Sequence, residues 1–74
     1  MDSNLIETIA TNLRHHRMAA RINKSELAAR TGLSRQIIYL LERGTHDPKV
    51  GTLLKISSVL GCSVEDLIYP ARNQ

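Results

Sequence analysis

Seventy-four residues hold one small domain and no more. With 42% hydrophobic residues but no Phe or Trp, its core has to be packed from Leu, Ile, Val and Ala, which favours short helices in close contact. A lone Cys62 excludes an internal disulfide and a cysteine metal set, and two Tyr are too few for the aromatic platforms of single-strand readers.

Apolar periodicity and capping residues predict five helices and no strand, an all-α domain. The first runs from about Asn4 to Ala20, with Ile6, Ile9 and Leu13 on one face. The second starts after Asn23, a good N-cap, with Glu26 placed to reach back in a variant of the capping box and Ile22 and Leu27 placed as a hydrophobic staple. Gly32 ends it by supplying the left-handed residue of a tight turn. Ser34 caps the third helix, which runs to about Arg43 and stops at Gly44. Thr45-His46-Asp47-Pro48 reads as a polar loop, followed by a fourth helix over about Val50 to Leu60. Ser63 caps a short fifth helix with Asp66 at N3, and Pro70 ends it. The whole chain, 1–74, reads as a single domain ordered over about 4–69.

The expected core is Ile6, Ile9, Leu13, Leu27, Ala28, Leu33, Ile38, Leu41, Leu53, Ile56, Leu60 and Leu67. Val50, Leu54, Val64, Ile68 and Tyr69 are left over on the last two helices, and an exposed apolar patch of that kind marks an interface, here for a second copy of the chain. Cys62, between Leu60 and Val64, reads as a small hydrophobe. With no apolar run of transmembrane length and no leader pattern, the chain is expected to be soluble and cytoplasmic.

Charge is concentrated rather than spread. Between Arg14 and Lys49 lie eight basic residues and three acidic ones, whereas the flanks hold two basic and four acidic. The excess is centred on residues 23–44, which read as two short helices over one turn, a helix-turn-helix, and it has the sign expected of a footprint for DNA phosphates. The second helix of that pair opens with Arg35 and Gln36. Arg pairs bidentately with guanine O6/N7 and Gln with adenine N6/N7 in the major groove.

The pattern Leu27-Ala28, Gly32-Leu33-Ser34-Arg35-Gln36, Ile38, Leu41-Glu42-Arg43-Gly44, Pro48, Thr52-Leu53, Ile56 and Leu60-Gly61 resembles the lambdoid phage repressor and Cro family, the XRE-type helix-turn-helix. It covers roughly residues 5–69, and the small restriction–modification controllers and many antitoxins share it. The resemblance implies a five-helix lambda-repressor-like fold, with recognition helix 34–43 lying in the major groove of double-stranded DNA. Ser34, Arg35, Gln36 and Ile37 would face bases, Arg35 and Gln36 directly and Ile37 toward a thymine methyl. Asn23, Lys24, Tyr39, Arg43, Thr45, His46, Lys49 and Thr52 would face the backbone. Lys24 stands where the family commonly has Gln, which keeps a phosphate contact but not an amide brace. Leu40 stands where some relatives carry a polar base contact. Arg17 and Glu42 match positions that form a buried ion pair tying the first helix to the third.

No enzyme is expected. His15 and His16 are adjacent and project about 100° apart on a helix, so they do not form a metal-binding i, i+4 pair. No nucleophile, base and acid converge in the sequence, and no cofactor motif or metal set is recognisable. The function expected is a sequence-specific transcriptional regulator, a repressor or autoregulator, binding a palindromic operator as a homodimer. The alternative is an antitoxin or protein-interaction module that uses the same fold on a partner protein.

Overall fold

A computed structural model describes residues 2–70. Five helices follow one another: α1 Ser3–Ala19, α2 Lys24–Thr31, α3 Arg35–Arg43, α4 Val50–Leu60 and α5 Val64–Ile68. Asp2, Asn23, Ser34 and Ser63 each turn a side-chain oxygen onto the amide three residues on, satisfying a donor that the first helical turn leaves without a partner. At α5 the box is reciprocal: Ser63 Oγ accepts from the Asp66 amide and the Asp66 carboxylate accepts from the Ser63 amide. Those bonds to Ser63, helped by the charge of His16, hold the Asp66 carboxyl below the usual aspartate range. The expected box at α2 does not close, because Glu26 turns along its helix to Arg30 at 2.6 Å, an i, i+4 pair.

The helices pack α1 on α3 and α5, α2 on α3 and α4, and α4 on α5. All five feed one core: Ile9 and Leu13 from α1, Ile22 from the connection after it, Leu27 and Ala28, Ile38 and Leu41, Leu53 and Ile56, and Leu67. Three expected core members sit at its margin. Leu33 and Leu60 are half-buried against the core, whereas Ile6 is half-buried and Leu5 takes its place in the packing, one helical turn before Ile9. Val64 and Ile68 also pack on the core's edge: Val64 lies three residues before Leu67 and four before Ile68, spacings that share one side of a helix. The loop before α4 is not wholly polar in setting: Pro48 is buried and His46 half-buried. Cys62 is half-buried, and that burial, with the nearby Asp66 charge, pushes its thiol above the ordinary range, disfavouring the reactive thiolate.

Two local features set how helices meet. Buried Asn12, in the α1 apolar stripe, donates to Leu67 O at 3.0 Å and Tyr69 O at 2.7 Å, so it satisfies the last carbonyls of α5 and ties that helix to α1. At the other end α1 stops in a Schellman-type turn: the Ile22 amide donates to Arg17 O and the Arg21 amide to Met18 O, with Ile22 buried beneath. Arg21 occupies the left-handed position at φ 59°, a conformation that costs an L-residue about 1–2 kcal/mol. Arg21→Gly removes that strain and adds unfolded-state entropy of smaller size, for an expected net stabilisation of about 0.5–1 kcal/mol, read as a higher midpoint in urea unfolding.

Candidate DNA-binding interface

The turn between α2 and α3 is only Gly32, Leu33 and Ser34 long, and it is fastened from within. Buried Thr31 donates its hydroxyl to Leu27 O at 2.7 Å and accepts from the Leu33 amide at 3.3 Å, so one side chain bonds both arms of the turn. Gly32 adopts φ 75°, the region where a Cβ is unfavourable. With Ser34 capping the next helix, the chain reverses abruptly enough to lay α3 across α2.

At about 100° per residue, α3 divides cleanly into two faces. Ile38, Leu41 and Glu42 are buried, with Ile37 and Leu40 half-buried; Arg35, Gln36, Tyr39 and Arg43 are exposed on the other side. Arg35 and Gln36 form no part of the core, and with Lys24 and Tyr39 they line a concave surface of about 410 Å³. The first residue of α2 is thereby brought beside the first two residues of α3, about a dozen positions along the chain. Arg43 joins the group through a 3.3 Å bond from its guanidinium to the Tyr39 hydroxyl. Lys24 Nζ lies 5.3 Å, and the Arg43 guanidinium carbon 5.9 Å, from the centre of the Tyr39 ring, within cation–π range.

The other residues expected at DNA are placed around this cluster. Ser34 is exposed with its oxygen engaged in the α3 cap, and Ile37 is half-buried against the core, so each presents less than Arg35 or Gln36 does. Asn23 adjoins Lys24 and spends its carbonyl oxygen on the Glu26 amide. Thr45, bonded to Leu40 O, follows α3; His46 and Lys49 lie in the connection to α4, and Thr52 is half-buried in its first turn.

What aims α3 is the inner face of α1. Arg17 grips Glu42 with two nitrogens, Nε to Oε2 and Nη2 to Oε1 at 3.0 Å, and donates a third bond to Ile22 O at 2.8 Å. The pair is largely withdrawn from water, with side-chain exposures of 13% and 4%. Arg14 adds a longer bond to Glu42 O at 3.4 Å, a cation placed at the carbonyl end of α3. The sequence pointed to no role for Asn12 or Thr31, and to Arg14 only as one charge of the basic window. The signal available for Asn12 was a polar residue inside the apolar spacing of α1; Arg14 and Thr31 have none apart from their contacts.

The family model described as Helix-turn-helix (HTH_3) matches residues 13–67. The chain belongs to the HTH_3 helix-turn-helix family. Members of this XRE-type family are DNA-binding transcriptional regulators and not enzymes. Similar proteins include an uncharacterized HTH-type transcriptional regulator of Methanocaldococcus jannaschii, 33% identical over 55 residues that span 74% of this chain and 83% of the relative. Another, from Sinorhizobium fredii, is 34% identical over 84% of this chain and 80% of the relative. Among solved structures, the restriction–modification controller protein C.AhdI of Aeromonas hydrophila superposes with a TM-score of 0.80 at 26% identity, over 84% of this chain and 94% of the controller. A hypothetical transcription factor from Neisseria reaches a TM-score of 0.86 at 27% identity over 95% of this chain and 82% of its own. The HTH_3 fold accounts for the all-helical architecture, and among the described residues no helix is long and apolar enough to cross a membrane.

Proposed function

We propose that this HTH_3 regulator acts in the cytoplasm as a repressor or autoregulator, binding a two-fold symmetric operator as a homodimer. The observation that carries the reading is the exposed face of α3: Arg35 and Gln36 contribute nothing to the core and stand beside Lys24, Tyr39 and Arg43. Arg35 and Gln36 read base edges; Lys24, Arg43 and the polar groups flanking them, from Asn23 to Thr52, hold phosphates and fix register. One α3 offers too few base contacts to select a site alone. Two copies in successive major grooves, about 34 Å apart, supply the rest.

Support for a second copy comes from the exposed apolar side chains Val50, Leu54 and Tyr69, at 64%, 55% and 63% exposure, on and just after the last two helices. Val64 and Ile68, half-buried on the last helix, would complete the patch. In such a dimer operator occupancy rises more steeply than in proportion to protein concentration, which suits autoregulation. Leu54→Glu, at an exposed position, is expected to leave the fold intact and convert the dimer to monomer in sedimentation; an unchanged dimer places the contact elsewhere.

Selection of bound duplexes from a random library tests the whole reading. A symmetric sequence with half-sites one helical turn apart is the expected product. Enrichment of single, unpaired sites overturns the dimeric operator. Binding that weakens steeply with salt through counterion release is expected of DNA, whereas an antitoxin or interaction module holding a protein partner through apolar contacts keeps its affinity as salt rises.

A further inference from the structure

Tyr39 stands apart from its neighbours in the cluster. It is large, about half exposed, apolar around its ring, and contacts the cations of two different helices. We propose that Tyr39 is the positioning residue of the phosphate-facing edge, gathering Lys24 from the start of α2 and Arg43 from the end of α3 so that both are aimed at DNA phosphates before DNA arrives. This rests on the DNA-binding reading above.

The physical reason begins with repulsion. Two flexible cations left to themselves on a protein surface spread apart and sample many rotamers, and binding a phosphate then has to order both. The negative face of one aromatic ring draws the Lys24 ammonium in, at 5.3 Å. The ring's hydroxyl oxygen accepts from Arg43 at 3.3 Å. Each cation is held by a different part of the side chain, Lys24 by the ring and Arg43 chiefly by the oxygen. The contact also links the two helices of the motif, since Lys24 opens α2 and Tyr39 lies one turn into α3.

Because ring and hydroxyl have separate tasks, a set of double-mutant cycles separates them. The probe is a labelled duplex of random sequence, on which the phosphate contacts act without base readout, followed by anisotropy at fixed salt. Tyr39→Phe is expected to weaken binding about threefold in the parent protein and to have no effect in an Arg43→Ala background. Tyr39→Leu is expected to weaken it about tenfold in the parent, and its excess over Tyr39→Phe disappears in a Lys24→Ala background. Losses that simply add in both backgrounds overturn the positioning role while leaving the DNA-binding reading intact. A parent protein that does not bind the duplex at any salt overturns both. Helical circular dichroism and melting temperature are followed for each variant; if Tyr39→Leu does not fold, the Tyr39→Phe cycle with Arg43→Ala decides the matter alone.

Discussion

Glu42→Ala is expected to remove about 3–5 kcal/mol of stability, most of what a domain of this size possesses. The substitution deletes the acceptor of two Arg17 bonds and strands a guanidinium that is 13% exposed, leaving only Ile22 O to hold it. An uncompensated charge withdrawn from water costs far more than the intact pair contributes, so the loss exceeds the value of the salt bridge itself. Urea unfolding followed by circular dichroism measures it; a loss below about 1 kcal/mol would show the pair to be hydrated like a surface bridge.

A companion variant separates stability from aim. Arg17→Met with Glu42→Leu replaces both charges by apolar groups of similar bulk, and such replacements are commonly neutral or stabilising. Folding is therefore expected to survive. The bidentate fork, however, fixes a direction between α1 and α3 that two apolar side chains do not, so the double variant is expected to lose DNA affinity at unchanged stability. Unchanged affinity would mean that packing of Ile38 and Leu41 alone sets the angle of α3.

The second large effect concerns what α3 reads. Arg35→Ala is expected to erase preference at one base pair per half-site, a loss of about 1–3 kcal/mol of discrimination that counts twice in a symmetric dimer. Lys24→Ala is expected to weaken every duplex about equally and to make the salt dependence shallower, by about one released counterion for each phosphate no longer neutralised. The two residues line the same concave surface, so their location alone does not distinguish them. What separates them is donor geometry: the planar fork of Arg matches a guanine edge, whereas the ammonium of Lys is a point charge suited to phosphate. Competition between a selected operator and its single-base variants checks both, and indistinguishable profiles would refute the division of roles.

Much of this arrangement was legible in the chain because it is local. Caps, a left-handed glycine and apolar spacing act within one or two turns of helix, so Asn23, Ser34, Ser63 and Gly32 marked their boundaries before any packing was known. Glu26 misled for the same reason. Reaching back to the cap and reaching forward to Arg30 are both local options for its carboxylate, and the spacing of the sequence favours neither. Ile6 and Leu5 are adjacent apolar residues at the open end of α1, and only the position of the neighbouring helices decides which one packs.

By itself, then, the sequence determined the five helices, the tight turn between the second and third, the concentration of positive charge on that turn, and the HTH_3 pattern that makes this chain a DNA-binding regulator. Tertiary structure alone decided what holds those helices at fixed angles and which side chains share a surface. Asn12 meets carbonyls of Leu67 and Tyr69 from the far end of the chain, Arg14 reaches the Glu42 carbonyl across two helices, and Lys24 meets Tyr39 across the turn. Such meetings depend on the relative placement of whole helices, a three-dimensional quantity that no periodicity along the chain records.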